Sequence, residues 1–134
     1  ASTIKKGGSR EMKVLIGVAI AGAVGALLRF GVTLLVGQRF FPWATLSVNV
    51  VGSFLMGVAY VAIVEKAIIH PDLKPVIMAG GLGAFTTFSA FSLEVWAFIE
   101  KGALSYALLY IFSSVLLSIT ALWLGIVISR YCLA

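Results

Sequence analysis

Residues 80–92, GGLGAFTTFSAFS, decide the fold, because they place three glycines and four hydroxyl side chains inside an apolar run from 75 to 99. A run of this length exceeds the roughly 20 residues that a helix needs to cross the hydrocarbon core of a bilayer. A broken helix at membrane depth is tolerated only where protein or water covers it. The stretch predicts a transmembrane helix that is broken mid-membrane, with freed carbonyls that can bind a cation. An unbroken, glycine-rich packing face is the alternative.

Three other apolar runs flank this one, at 14–36, 44–64 and 103–128. The chain is 61% hydrophobic and 11% charged, whereas a soluble domain is roughly half apolar and a quarter charged. Backbone groups in lipid must be bonded within their own segment, so each run is predicted to be a helix. The connections are short, which predicts an all-α membrane protein with four antiparallel transmembrane helices.

The N-terminal residues differ from the rest of the chain in composition. Residues 1–12 are polar and basic, and we interpret them as a flexible tail or a remnant of the expression vector. A signal peptide is the alternative, but the apolar stretch that follows is too long and has no clear cleavage site. Residues 13–134 are then a single four-helix transmembrane domain.

Charge and reactive residues exclude several functions. The net charge of +5 does not indicate nucleic-acid binding, because four basic residues crowd into the first thirteen positions and no basic face remains elsewhere. Cys132 is the only cysteine and cannot form an internal disulfide. The lone histidine, His70, lies in a polar loop without an acidic cluster, so a metal-dependent enzyme is not indicated. We expect no enzymatic activity.

The orientation of the bundle follows from the basic residues in its loops, and their bias is weak. Such a protein is expected to insert in both orientations, and a bundle this small encloses little space of its own. We therefore expect a homodimer, which is antiparallel if both orientations occur. Lys13, Lys66, Lys74 and Arg130 lie on the side of the termini, and Arg39, Lys101 and Arg29 lie on the other.

The second span carries polar and small residues every four positions, at Thr45, Asn49, Ser53 and Gly57. This spacing places them on one helix face. Asn49 offers two N–H donors and cannot ionise. It either bonds a neighbouring helix, as polar residues in bundles do, or donates to an anion.

The third and fourth spans carry further candidates. Phe88 and Phe91 share a face, where they fill space or present their positive ring edges to a small anion. In the fourth span, a row at every fourth position ends in Ser114 and Ser118. These serines bond back to their own helix or form a track of donors. The full row is Tyr106, Tyr110, Ser114 and Ser118.

The first span has a stripe of small residues, Gly17, Ala21 and Gly25, that predicts close packing of another helix. Arg29 follows at the next turn. Its side chain either extends to the membrane interface or guards an entrance and raises the local anion concentration. Glu94 lies near the end of the third span, at the mouth of a pathway or at the interface.

Three segments carry a resemblance to a known family. Residues 83–94, GAFTTFSAFSLE, resemble the signature of the Fluc fluoride channels, also called CrcB proteins. Residues 48–52, VNVVG, and 25–30, GALLRF, are similar to the family's second- and first-span motifs. The resemblance covers nearly all of the chain from about Met12. Ala84 replaces a glycine that is frequent in the family, and Ala90 replaces a threonine.

The resemblance implies a dual-topology antiparallel homodimer in the bacterial inner membrane, with two pores that export cytoplasmic fluoride passively. It implies that Arg29 and Glu94 lie at the pore entrances. The backbone carbonyls of Gly83 and Thr86 would bind a structural Na⁺ at the dimer interface. We expect the fluoride pore to be lined by Asn49, Phe88, Phe91, Ser114, Ser118, Thr45, Thr87, Ser89 and Tyr110.

The residues alone leave two other functions possible. A small multidrug-resistance type proton antiporter also has four spans, but it needs an ionisable carboxylate at mid-membrane. The first two spans have none, and Glu94 lies near the end of the third. A non-transporting assembly subunit is the third interpretation. A channel for fluoride requires moderate, multiple neutral donors, because a full charge would hold the ion too firmly.

Overall fold

The computed structural model describes residues 8–134, and all regular structure in that range is helical. Four helical spans are long and apolar enough to cross a membrane, as predicted. We number the helices α1 to α5. They are α1, Gly8–Val36; α2, Trp43–Ala59, continued by π-helical turns at Tyr60–Glu65; α3, π-helical at Pro75–Leu82 and α-helical at Gly83–Phe85; α4, Ser89–Glu100; and α5, Leu104–Cys132.

The helices extend beyond the apolar runs. Residues 8–12 of the predicted tail are helical, with Glu11 in the first described turn, whereas residues 1–7 lie outside the described residues. At the other end, α5 continues to Cys132 with Arg130 in its last turn. Hydropathy marks the part of a helix that contacts lipid, whereas the backbone hydrogen bonds continue into the polar interface. There, an acidic residue near the helix N-terminus and a basic residue near the C-terminus interact favourably with the helix dipole.

The third span consists of two helices. The first ends at Phe85, where Thr86 takes the extended values φ −87° and ψ 161°. The chain becomes helical again at Ser89, after Phe88. Thr and Ser side chains favour such interruptions, because they offer the backbone alternative hydrogen bonds.

Two tightly packed helix pairs build the bundle: α1 lies along α3, and α2 lies along α5. The predicted small-residue stripe of α1 does contact another helix. A Cβ at Gly25 would overlap the carbonyl oxygen of Gly81 in α3. A Cβ at Gly125 of α5 would overlap the carbonyl oxygen of Phe54, and this position lies 3.4 Å from the Cα of Gly57. Backbones approach this closely only where side chains are absent.

Short loops and two ion pairs close the bundle at its ends. Gly37 and Gly102 each follow a helix with φ 74°, a left-handed conformation that favours glycine. Arg10 donates to Asp72 and so connects α1 to the loop before α3. Arg130 donates to Glu65 and connects α5 to the end of α2. Large apolar side chains cover the outside of the bundle, as a lipid-facing surface requires.

Candidate functional site

A cavity of about 400 Å³ lies between α2, the interruption of the third span and α5. We call it the central cavity. It brings together six of the predicted pore residues from three spans, and none of the described residues that line it is charged. Those six are Asn49, Thr87, Phe88, Phe91, Ser114 and Ser118.

Asn49 fixes the wall of this cavity. Its Nδ2 donates to the carbonyl oxygen of Thr87 at 3.0 Å, and its Oδ1 accepts from the N–H of Thr87 at 2.9 Å. One of the two amide hydrogens is thereby used, which leaves the second available as a donor. Asn49 therefore bonds its neighbour in the bundle and also lines the cavity, so the two alternatives for this residue are compatible.

Ser114 provides the most informative polar atom of the site. The residue is 6% exposed, and its hydroxyl has no hydrogen-bond partner among the described residues. The preceding residue, Ser113, donates instead to the carbonyl oxygen of Tyr110 at 3.3 Å. A buried hydroxyl without a partner costs about 1–3 kcal/mol. Such a group at a cavity wall fits a site that receives a polar ligand.

The two phenylalanines have different surroundings. Phe91 is 8% exposed and packs against the ring of Tyr110, with 5.0 Å between centroids. Phe88 is 77% exposed, and its ring centroid lies 5.5 Å from that of Phe91 at an angle of 49°. Phe91 is held by the core of the chain, whereas Phe88 extends away from it.

The interruption withdraws hydrogen-bond donors from several backbone carbonyls, among them those of Gly83 and Thr86. In a continuous α-helix the N–H of Thr87 would donate to Gly83, and that of Ala90 to Thr86. The N–H of Thr87 donates instead to Asn49, and that of Ala90 donates to the Thr87 hydroxyl at 3.2 Å. Gly83 and Thr86 are the two residues that were predicted to bind Na⁺. Neutral carbonyl oxygens of discontinuous helices suit such a hard cation.

Among residues 8–134 there is no cluster of three or more His, Cys, Asp or Glu side chains that could hold a metal ion.

Arg29 contacts the same interruption from α1. Its Nε donates to the carbonyl oxygen of Ala84 at 3.1 Å, and the residue is partly buried. The side chain therefore bonds the backbone of α3, a contact that the sequence did not predict, and the two predicted alternatives for Arg29 stay predictions.

A second cavity of about 410 Å³ lies between α1, the loop that follows it, α2 and α4, and the charged candidates line it. We call it the vestibule. Three basic residues and one acid line it, namely Arg29, Arg39, Lys101 and Glu94.

Glu94 anchors a cluster of polar contacts at this vestibule. The Thr45 hydroxyl donates to its Oε2 and the Tyr110 hydroxyl to its Oε1, both at 2.9 Å. Thr45 and Tyr110 thus lie at the Glu94 carboxylate and do not line the central cavity. No spacing in the sequence predicted this cluster, because its members belong to three different spans. The signals in the sequence were the two rows that place Thr45 one turn before Asn49 and Tyr110 one turn before Ser114.

Ser89 and Tyr106 line neither cavity. Ser89 is exposed and its hydroxyl lies 3.4 Å from that of Thr87, but it lines neither cavity. Tyr106 is 45% exposed and packs edge-on against Phe40 with 4.8 Å between ring centroids. The hydroxyl row of α5 therefore meets the central cavity only at its two serines.

Four membrane-length spans, three of which line an uncharged cavity with amide and hydroxyl donors, define a multi-pass helical membrane protein of the transporting class. The family model described as "CrcB-like protein, Camphor Resistance (CrcB)" matches residues 16–126, and the chain belongs to this family.

Relatives of known name agree with this assignment. A protein of Magnetococcus marinus named "Fluoride-specific ion channel FluC" is 47% identical over 116 residues, 84% of this chain and 94% of the relative. Proteins of the same name from Saccharophagus degradans and Hahella chejuensis are 50% and 45% identical over 117 and 122 residues. These alignments cover 86% and 89% of this chain, and 88% and 96% of the relatives.

Proposed function

We propose that this chain is a subunit of a fluoride-selective channel of the bacterial inner membrane. Fluoride leaves the cytoplasm through it passively, down its electrochemical gradient. Family membership and the names of the relatives support this proposal. The structural observation that carries it is the orphan hydroxyl of Ser114, which shares an uncharged cavity with Asn49.

The central cavity offers the chemistry that a small, strongly hydrated anion needs. A conducting site must replace the water around the ion without binding it too firmly. The second N–H of Asn49 and the Ser114 hydroxyl are neutral donors, and Ser118 adds another at the same wall. The ring edges of Phe88 and Phe91 are weakly positive and complete this lining.

The interruption adds an electrostatic contribution. The N-terminus of α4 begins at Ser89, beside the central cavity, so the positive end of its dipole favours an anion there. The end of α3 presents the carbonyls of Gly83 and Thr86, which favour a cation. A discontinuous helix at mid-membrane thus supports both ions with backbone groups.

The vestibule provides the approach to the central cavity. Its three basic side chains outnumber the single carboxylate of Glu94, so its positive potential attracts anions. The hydroxyls of Thr45 and Tyr110 hold that carboxylate at the wall of the vestibule. An anion that moves from the vestibule into the central cavity leaves the basic side chains behind and is then stabilised by neutral hydrogen-bond donors.

We also propose an antiparallel homodimer with a structural Na⁺ between its two copies. The exposed ring of Phe88 and the weak charge bias of the loops support a second copy in the opposite orientation. Gly83 and Thr86 would hold the ion together with the same carbonyls of the partner. The cation would fix the two interruptions relative to each other.

A flux assay tests the function. Purified protein in liposomes should release trapped fluoride, measured with a fluoride electrode, and should retain chloride. Equal passage of both ions would contradict selectivity by this lining, and an uptake coupled to protons would favour the antiporter. Preparing the same vesicles with N-methylglucamine in place of Na⁺ tests the cation: the proposal requires loss of dimer and flux together.

A further inference from the structure

We propose that Arg29 is a positioning residue that holds the interruption of the third span through its Nε hydrogen, and that its charge is secondary. In a continuous helix, the carbonyl of Ala84 would accept from the N–H of Phe88. The extended conformation of Thr86 carries Phe88 away from it. The Ala84 carbonyl accepts instead from Arg29 Nε at 3.1 Å.

Two side chains from two helices bond three of the backbone groups that the interruption frees. Asn49 of α2 satisfies both groups of Thr87, and Arg29 of α1 satisfies the carbonyl of Ala84. A buried carbonyl that loses its partner is costly, so removal of either contact favours the continuous helix. Together they keep the chain in the conformation that forms the wall of the central cavity.

The approach of α1 makes this contact geometrically possible. Gly25, one turn before Arg29, packs its backbone directly on Gly81 and Phe85. The small-residue stripe of α1 therefore sets the distance over which the Arg29 side chain reaches Ala84. This role unites two features of the first span that the sequence presents separately.

Two substitutions of Arg29 separate the contribution of its Nε donor from that of its charge. Glutamine carries its Nε2 on Cδ, at the same position along the side chain as the Nε of arginine, but it has no charge. Lysine keeps the charge, but it has a methylene at that position and its ammonium lies one bond further. Arg29→Gln thus keeps a donor at the position of Nε without the charge, whereas Arg29→Lys keeps the charge but moves its N–H donors one bond further.

The experiment compares both variants with Arg39→Gln, which removes one charge from the same vestibule. Fluoride flux is measured in liposomes, and amide hydrogen exchange is measured over residues 86–90 in the purified protein. We expect Arg29→Lys to lose flux by about tenfold and to accelerate exchange at 86–90, as loss of one charge-assisted hydrogen bond implies. Arg29→Gln should match Arg39→Gln in flux and wild type in exchange.

The opposite ranking overturns the proposal. Wild-type flux in Arg29→Lys with reduced flux in Arg29→Gln would make Arg29 an electrostatic guard. If amide exchange at 86–90 were accelerated equally in both variants, or were accelerated in neither, the Nε donor would not hold the interruption. The flux readout depends on the proposed function, whereas the exchange readout does not. A wild-type protein that passes no fluoride would therefore remove the channel proposal and leave the exchange comparison to decide this one.

Discussion

Replacing Ser114 by alanine should change stability and conduction in opposite directions. The substitution removes one hydroxyl and leaves the side chain's volume almost unchanged. Because that hydroxyl is buried and has no partner among the described residues, its removal relieves an unfavourable burial. An unsatisfied group of this kind costs about 1–3 kcal/mol. We expect a gain in stability near the lower end of that range, about 1 kcal/mol.

Conduction should fall in the same variant. A hydrogen bond from a neutral donor to an ion contributes about 1.5–3 kcal/mol, which corresponds to about 10- to 100-fold in rate if nothing replaces it. Asn49 and Ser118 share the cavity wall with Ser114. We therefore expect a loss of fluoride flux of about tenfold, the lower end of that range.

The neighbouring residue supplies the control. Ser113→Ala removes a hydroxyl that is already bonded to the Tyr110 carbonyl and does not line the central cavity. Its flux should match wild type, and its stability should change by about 0.5–1.5 kcal/mol or less in the unfavourable direction. Thermal unfolding in detergent and fluoride-electrode flux in liposomes measure the two quantities. A Ser114→Ala protein that is more stable and conducts normally would refute the reasoning, since the hydroxyl would then serve no ion.

Two further predictions concern packing and pH. Gly125→Ala should destabilise the bundle by about 1–3 kcal/mol, because the new Cβ overlaps the backbone carbonyl of Phe54. Gly31→Ala is the control in thermal unfolding, because a Cβ at that position would meet no atom within 4 Å. The hydrogen bond from Arg10 holds the pKa of Asp72 below its ordinary value of 3.8. The pair should therefore stabilise the fold above that pH and lose its effect as the pH falls through the lowered value. Asp72→Asn should lower stability at neutral pH and equal wild type in strong acid, and an unchanged difference across the titration would contradict this assignment.

Much of the architecture was predictable because lipid imposes simple rules on sequence. Four apolar runs gave four spans, since no other regular segment can satisfy its backbone in hydrocarbon. The stripe that includes Gly25 was correctly predicted to pack against a helix. The helix ends were not predicted: α1 includes residues 8–12, because a helix continues past the point where hydropathy ends.

The site was only partly predictable. Helical spacing correctly grouped Asn49 with Ser53, and Ser114 with Ser118, since residues four apart share a face. The same rule placed Tyr106 in the row of α5, but that side chain packs against Phe40 at the end of the bundle. Spacing along one helix shows which residues share a face, but it does not show over what part of that face a neighbouring helix remains in contact.

The sequence by itself determined that this protein crosses the membrane four times and which residues carry polar groups at that depth, because both follow from local hydropathy and period. Only the tertiary structure decided the partners of those groups. In the structure, the hydroxyls of Thr45 and Tyr110 donate to the Glu94 carboxylate. Arg29 donates to the carbonyl of Ala84, and the hydroxyl of Ser114 has no partner among the described residues. Each of these outcomes depends on atoms from different helices, and the distance between two helices is fixed by packing and not by position in the chain.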